Sequence, residues 1–143
     1  MSKIEGSVTI DRPIEEVFDY MHNPENDPKW QPEVIETIAE GPPAVGSTLT
    51  MRRKVMGREI EAVAEVTEYK PPHKSSVKSQ TGPVQFQSSY IFEETEGGTR
   101  VRFEGDVEPG GILKVASGAL ASQIEKDFSA NLKRLKNILE GAS

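Results

Sequence analysis

Short runs of alternating apolar and polar residues fill the middle of the chain. Glycine and proline clusters, such as Gly41–Gly46 and Pro71-Pro72, separate one run from the next. A period of two is typical of antiparallel strands that bury one face, and glycine and proline mark the turns between them. After a first alternating run at residues 1–10, the predicted strands are Val34–Glu40, Ser47–Met56, Ile60–Val66, Lys74–Gln80, Val84–Phe92 and Val101–Val107.

A short helix is predicted directly after the first strand. Asp11 is expected to cap it, Pro13 suits its first turn, and acidic residues follow where the helix dipole favours negative charge. Asn-Pro and Asp-Pro turn signals before Trp30 end the helix. The apolar residues at helical spacing are Ile14, Val17, Phe18 and Met21.

The hydrophobic period changes in the last third of the chain. From about Ile112 to Glu140 there is no proline, and the apolar positions follow the period of an α-helix. This apolar stripe consists of Leu113, Leu120, Ile124, Phe128, Leu135 and Leu139. Such a helix would run to roughly 40 Å, at about 1.5 Å per residue, which suits a position across a curved sheet.

Composition limits the classes of protein to which the chain can belong. With 143 residues, of which 35% are hydrophobic, it fits a single globular domain, 1–143. The absence of cysteine excludes disulfides, thiolate zinc sites and cysteine nucleophiles, and favours a reducing, cytoplasmic location. No apolar run approaches the roughly 20 residues of a membrane span, so we expect a soluble protein without an integral membrane segment. A net charge of −6 disfavours binding to nucleic acid.

The order of the predicted elements resembles that of one superfamily. The likeness is carried by Ile10–Asp19, Asn23–Trp30, Val45-Gly46 and the final helix. The chain resembles the START-like, or SRPBCC (helix-grip), superfamily, of the polyketide cyclase/dehydrase and lipid transport type. The resemblance implies an α+β helix-grip fold, in which a strongly curved antiparallel β-sheet of six to seven strands wraps around the long C-terminal α-helix and leaves an apolar cavity. It implies no particular reaction, because this fold hosts transporters, receptors and cyclases alike.

Arg53 is the most unusual residue on the predicted inner face of the sheet. Strand alternation places it on the same face as Leu49 and Met51, whereas Arg52 and Lys54 take the outer face. A guanidinium that faces an apolar cavity is costly unless it is paired, and its planar fork can bind the carboxylate or enolate of a ligand. Alternatively, Arg53 reaches solvent near the strand end or pairs with a carboxylate of the protein itself.

Polar residues among apolar neighbours provide further candidate ligand contacts. Ser88 and Tyr90 share a strand face with Phe86 and Phe92, which places hydroxyls among aromatic rings, as in pockets that orient an apolar ligand. In the alternative, these hydroxyls bond to backbone or water inside an ordinary core. The candidate ligand contacts are Arg53, Tyr90, Ser88, Phe86, Met51, Trp30, Asn131 and Ser117.

Three of these candidates lie outside the strands. Ser117 and Asn131 fall within the apolar stripe of the long helix, and they face the cavity unless they lie at the edge of the stripe. In the family that the chain resembles, the region around Trp30 shapes one mouth of the cavity. Trp30 is therefore expected to be a gate or stacking surface, or else a plug that seals this end of the core.

The sequence contains no recognisable catalytic motif, and the catalytic residues, if any, are unknown. His22 and His73 lie at the ends of predicted elements, and we expect neither to reach the cavity. Two distant histidines without cysteine make a poor metal site, and there is no glycine-rich phosphate loop, so neither a metal nor a cofactor is predicted. The basic run at Arg52–Lys54 is expected to be neutralised by Glu59 and Glu61 on the adjoining strand.

Three functions remain open at this point. The favoured one is a non-enzymatic carrier or sensor for a small hydrophobic ligand, such as a lipid, polyketide or isoprenoid, whose polar end meets Arg53, Tyr90 or Asn131. The first alternative is a polyketide cyclase- or dehydratase-like enzyme, in which a polar residue stabilises an enolate. The second is a protein-interaction module whose cavity is filled by side chains. The sequence leaves open whether the protein is a monomer or a homodimer.

Overall fold

The computed structural model describes residues 2–55, 57–82, 84–109 and 117–141. The strands are β1 (Ser2–Ile10), β2 (Val34–Ala39), β3 (Thr48–Val55), β4 (Arg58–Lys70), β5 (Lys74–Thr81), β6 (Val84–Thr95) and β7 (Gly98–Pro109). The α-helices are α1 (Ile14–Met21), α2 (Asp27–Trp30) and α3 (Ser117–Gly141), and a 3₁₀ turn covers Pro24–Asn26. Each alternating run in the sequence therefore corresponds to one strand.

The strands of the described chain form one antiparallel sheet in the order β1-β7-β6-β5-β4-β3-β2. The pairing of β4 with β5 shifts register between Val63 and Ala64, and again between Val66 and Glu68. Such bulges bend a strand and increase its twist, and here they contribute to curling the sheet into a half-barrel. Helix α3 packs against β1 and β7 on the concave side of this half-barrel. The predicted α+β helix-grip fold is confirmed.

Helix α1 buries the face that its spacing predicts, but the prediction for its N-terminus is wrong. The N-cap residue is Pro13 rather than Asp11, and no side chain caps the helix within the described structure. A backbone hydrogen bond from Arg12 to Ile10 (2.9 Å) turns the chain before the helix begins. The Asp11 N–H is consequently directed away from α1 and donates to the carboxylate of Glu140 at 2.8 Å.

The segment between α1 and β2 contains a short helix that its turn signals do not predict. The Asn23 side chain accepts a hydrogen bond from the Glu25 N–H (3.1 Å) and starts the 3₁₀ turn, and α2 follows directly. A proline lies in the first turn of each of these two elements, where a missing N–H does no harm. As a result the chain returns to the core at Trp30, which is only 1% exposed.

Helix α3 presents its apolar stripe to the sheet. Leu135 and Leu139 of this stripe are buried, and Ile124 and Phe128 pack against the core with partial exposure. Leu132, which the predicted stripe does not include, is buried as well. The predicted beginning of the helix near Ile112 lies outside the described residues. Among the helices that are described, none is long and apolar enough to span a bilayer.

The basic run on β3 is neutralised on the outer face of the sheet, as its neighbours predict. Arg52 forms ion pairs with Glu36 (2.9 Å) on β2 and with Glu59 on β4. Lys54 lies directly opposite Glu59 in the β3–β4 register. The outer face of these strands is therefore a mixed surface rather than a basic patch.

Candidate functional site

A cavity of about 310 Å³ lies between the concave face of the sheet and helices α2 and α3. Most of its lining is apolar, and the apolar lining residues include Leu49, Met51, Ile60, Val66, Phe86, Ile124 and Phe128. The exposed residues Gly41 and Pro43 also border the cavity, so it meets solvent beside the β2–β3 connection. The volume and the lining fit an apolar ligand of modest size.

Arg53 lies on the cavity wall, as its strand phase predicts, and its guanidinium is paired. Its Nη2 donates to Oε1 of Glu33 at 3.1 Å, and only 19% and 15% of the two side chains are exposed. The guanidinium carbon lies 5.5 Å from the centroid of the Phe128 ring, so the cation also contacts an aromatic face. From the sequence alone, Arg53 either faces the cavity or pairs with a carboxylate of the protein. In the structure it does both.

The Glu33 carboxylate connects the cavity wall to helix α3. It also accepts a hydrogen bond from the side-chain amide of Asn131, and Asn131 Oδ1 accepts from Arg134 Nη1 at 3.0 Å. Arg134 Nη1 in turn lies 3.4 Å from the carbonyl oxygen of Trp30. Asn131 is 1% exposed but is not part of the cavity lining. It therefore supports Glu33 from behind the wall, and a direct ligand contact by Asn131 stays a prediction.

Tyr90 and Trp30 meet edge to face on the same wall, with their ring centroids 6.4 Å apart. The indole Nε1 of Trp30 is buried and has no hydrogen-bond partner among the described residues. An unpaired buried donor costs about 1–3 kcal/mol, which an acceptor group on a ligand can offset. Burial raises the pKa of the Tyr90 phenol, so that it stays protonated and able to donate.

A half-buried carboxyl group, Asp27, adds to this polar part of the wall. Burial raises its pKa to about 6, against the opposing effects of a hydrogen bond with Thr37 and the positive charge of Arg53. Asp27 therefore gains or loses its proton close to neutral pH. A carboxyl group with such a pKa can change the charge of the cavity within the physiological range.

His22 also lines the cavity, so the prediction that neither histidine reaches it is wrong for this residue. Its Nδ1 lies 2.7 Å from the Phe18 carbonyl oxygen, and its Nε2 lies 2.7 Å from Oγ of Ser75. Because a carbonyl oxygen can only accept, Nδ1 carries the proton and Nε2 accepts from the serine hydroxyl. Burial lowers the pKa of His22, which keeps the imidazole neutral at neutral pH.

The sequence contains a signal that could have located His22. Its position four residues after Phe18 places both side chains on the same face of α1, and the two rings stack with centroids 3.9 Å apart. His22 is the residue after the last helical residue, Met21, so the helical phase must be extended by one position to include it. His73, by contrast, is not among the residues that line the cavity.

The structure brings most of the predicted contacts to one cavity. Those that line it are Trp30, Met51, Arg53, Phe86, Ser88 and Tyr90. The side chain of Ser117 lies outside the described residues. Asp27, Glu33 and Ser75 line the cavity without having been predicted. In the described part of the chain, no group of three or more His, Asp or Glu side chains is arranged to hold a metal ion.

Residues 1–140 match the sequence profile of one family, described as polyketide cyclase/dehydrase and lipid transport. The chain belongs to this family. No curated protein matches this chain at the level of sequence.

Solved structures share the fold of this chain. TTHA0849 from Thermus thermophilus superposes with a TM-score of 0.84 at 18% identity, over 99% of each chain. A conserved protein from Geobacillus kaustophilus gives a TM-score of 0.79 at 19% identity, over 99% of this chain and 97% of its own. Ara h 8.0201 gives 0.75 at 11% identity, over 98% of this chain and 98% of its own. At these identities the likeness concerns the fold alone.

Proposed function

We propose that this protein binds a small hydrophobic molecule, such as a lipid, a polyketide or an isoprenoid, inside the cavity and acts as a carrier or sensor. The observation that carries the proposal is an apolar cavity of about 310 Å³ whose polar groups include the cluster of Tyr90, Asp27 and the Arg53–Glu33 pair. The apolar walls take the body of the ligand, and the polar cluster orients one end of it. A cavity of this size also favours ligand binding over an interior filled by side chains.

The polar end of the ligand is proposed to meet Tyr90 and Arg53. Because Glu33 lies 3.1 Å from Arg53 and neutralises its charge, the arginine acts as a hydrogen-bond donor rather than as an isolated cation. Asp27 adds negative charge once it is ionised, which disfavours a carboxylate at this position. The head group that fits best is therefore an uncharged oxygen, such as a hydroxyl or a ketone.

Native mass spectrometry of the freshly purified protein tests the proposal directly. We expect a co-purifying molecule that is released on denaturation and is identified as an apolar compound with few oxygens. Added 1-decanol, with decanoate and decane as comparisons, then tests the head group in the protein from which that molecule has been removed. Failure of all three added compounds to bind, with no co-purifying molecule, would contradict a ligand-binding role.

A substitution that reduces the cavity provides a matched test. Met51→Trp places a larger side chain on the cavity wall, whereas Thr50→Trp places the same side chain on the outer face of the same strand. We expect Met51→Trp to weaken decanol binding by about tenfold, or ~1.4 kcal/mol, and Thr50→Trp to leave it nearly unchanged. Equal effects of the two substitutions would place the ligand outside the cavity.

A cyclase- or dehydratase-like enzyme is the second candidate. It is favoured by one observation, the neutral imidazole of His22 on the cavity wall together with an Asp27 carboxyl group whose pKa is raised to about 6. A neutral imidazole can act as a general base, and a carboxyl group whose pKa is near neutral can act as a general acid. Conversion of an aromatic-polyketide precursor by the wild-type protein, lost in His22→Phe, would favour the enzyme over the carrier.

A further inference from the structure

We propose that Ser75 and His22 form a nucleophile–base pair that accepts an acyl group from an ester or thioester bound in the cavity. The proposal rests on the proposed function, since the acyl compound must enter the same cavity. It goes beyond binding, because it assigns a covalent step to two residues on the cavity wall.

The hydrogen bonds of the pair have the arrangement that activates a serine. Ser75 Oγ donates to His22 Nε2 at 2.7 Å, and the opposite nitrogen, Nδ1, donates to the Phe18 carbonyl at 2.7 Å. The carbonyl fixes the ring orientation and the tautomer, as an orienting acceptor does in hydrolases with a serine nucleophile. His22 is held further by stacking on Phe18 and by an edge contact with Tyr69, whose ring centroid lies 5.9 Å away.

The surroundings of Ser75 are those of a reaction site rather than of a surface serine. Ser75 is 8% exposed, and it borders the cavity on the same side as His22. In the sheet it lies directly between Tyr69 on β4 and Tyr90 on β6, so all three side chains share one face. Neighbouring strands place such side chains about 5 Å apart. Tyr90 therefore borders the same part of the cavity wall as Ser75.

The reaction can be written with the groups that are present. Ser75 Oγ attacks the carbonyl carbon as its proton passes to His22 Nε2, and a tetrahedral oxyanion forms. The bond from the carbonyl carbon to the leaving oxygen or sulfur then breaks, and the leaving group takes the proton from His22. The product is an ester of Ser75. Water can later hydrolyse this ester, with His22 again as the base.

Acylation by 4-nitrophenyl hexanoate tests the proposal on the purified protein. We expect release of one equivalent of nitrophenolate, a mass increase of one hexanoyl group on the intact protein, and the modified residue mapped to Ser75 by peptide mass spectrometry. This mapping on the wild-type protein decides the matter without any variant. A hexanoyl group found only on residues other than Ser75, or no hexanoyl group at all, would overturn the proposal.

Variants assign the roles within the pair. Ser75→Ala is expected to abolish labelling, and His22→Phe, which preserves the stacking on Phe18, is expected to slow it by at least about 100-fold. The controls are Ser89→Ala, a serine outside the cavity that bonds to Ser76, and His73→Ala. Both should react at the wild-type rate, and equal slowing by the controls would overturn the assignment.

A non-reactive ligand separates failure of this proposal from failure of the proposed function. Hexyl 4-nitrophenyl ether has a similar shape but no carbonyl, and its binding can be followed by quenching of Trp30, the single tryptophan of the chain. Binding of the ether without acylation by the ester would overturn the acyl-transfer proposal and leave the ligand-binding function intact. If neither the ether nor the ester binds, both proposals fail together.

Discussion

The guanidinium of Arg53 donates to the carboxylate of Glu33 at 3.1 Å, and Asn131 donates to the same carboxylate from helix α3. These bonds join β3, the segment before β2 and the long helix at one point of the cavity wall. Removing Arg53 leaves a largely buried carboxylate without its cation, which destabilises a protein more than the pair itself stabilises it. Arg53→Met should therefore lower the free energy of unfolding by about 2–3 kcal/mol, as measured by urea denaturation.

Two further variants distinguish the loss of the pair from the loss of packing. The double variant Arg53→Met/Glu33→Gln removes the unpaired charge as well, so it should recover part of the lost stability. Arg52→Met removes the neighbouring arginine, whose side chain is 38% exposed on the outer face, and should leave the urea midpoint nearly unchanged. Equal losses for Arg52→Met and Arg53→Met would show that the Arg53–Glu33 pair has no special role.

Tyr90 should distinguish a ligand by its head group. Removal of the hydroxyl in Tyr90→Phe preserves the ring contact with Trp30 but removes a buried donor from the cavity wall. Decanol should then bind about five- to tenfold more weakly, which corresponds to ~1–1.4 kcal/mol, the typical net value of one hydrogen bond. Decane, which has no oxygen, is the control and should bind equally to both proteins in isothermal titration calorimetry. Equal weakening of both ligands would assign Tyr90 a packing role only.

The strands and the outer face of the sheet could be predicted from the sequence because their alternation is strong. Ala62, Ala64 and Val66 are buried on one face of β4, as their period of two requires. The same parity places Arg53 inside and Arg52 outside, and no bulge occurs between Arg53 and Met51 in the β3–β4 register. Strand β3 therefore keeps the alternation that its sequence predicts, with no one-residue shift that would turn Arg53 outward.

The polar partners in the cavity could not be predicted in the same way. Glu33 lies in a connection without periodicity, so no local pattern indicates the direction of its side chain. Asp27 lies on a helix of one turn, which is too short for a hydrophobic period to appear. Ser75 lies on a strand whose sequence is mainly serine and lysine, and its bond to His22 joins residues 53 positions apart. Such contacts depend on the tertiary fold rather than on a local pattern.

Asp27 should make the stability of the protein depend on pH. The dependence lies between the pKa of its carboxyl group in the unfolded state and the higher pKa of the same group in the folded state. The folded carboxyl has a pKa of about 6, raised by burial from 3.8, so the folded state binds more protons than the unfolded state within this window. Stability from this group is therefore lost as the pH rises through the window. Asp27→Asn removes the effect and should stabilise the protein at pH 7.5 by about 1–3 kcal/mol, with a difference that vanishes near pH 3.5.

Wild type and Asp27→Asn contain the same other titratable groups. The effects of those groups on stability therefore cancel when the two proteins are compared. Burial disfavours the ionised form of Asp27, whereas Thr37 and Arg53 favour it. Burial also raises the pKa of Tyr90, and the charge of Asp27 adds to this effect. Thermal unfolding of both proteins across this pH range provides the measurement. A less stable Asp27→Asn at pH 7.5 would mean that Arg53 and Thr37 outweigh the burial of the charge. The same variant should bind decanoate more tightly and decanol equally well.

Gly6 should be intolerant of even one methyl group. It lies opposite Phe103 in the β1–β7 register, and a Cβ on Gly6 would lie 2.5 Å from Cε1 of that ring and 3.2 Å from Oγ of Ser129. Phe103 is 3% exposed and packs on Phe128, with centroids 5.1 Å apart, so the ring has little space into which it can move. Gly6→Ala should lower the free energy of unfolding by about 1–3 kcal/mol through overpacking, as measured by urea denaturation.

The effect of Gly6→Ala should reach the cavity through one chain of contacts. Phe128 borders the cavity and lies under the Arg53 guanidinium, so a displaced Phe103 should also weaken the binding of decanol. Gly141→Ala is the matched control, because a Cβ there has no neighbour within 4 Å and an alanine suits the end of α3. Phe103→Leu in the Gly6→Ala background should recover part of the stability, since the smaller side chain leaves room for the methyl group. The free energy of unfolding that the double variant loses could instead equal the sum of the losses in the two single variants. In that case the methyl group added at position 6 does not act through Phe103.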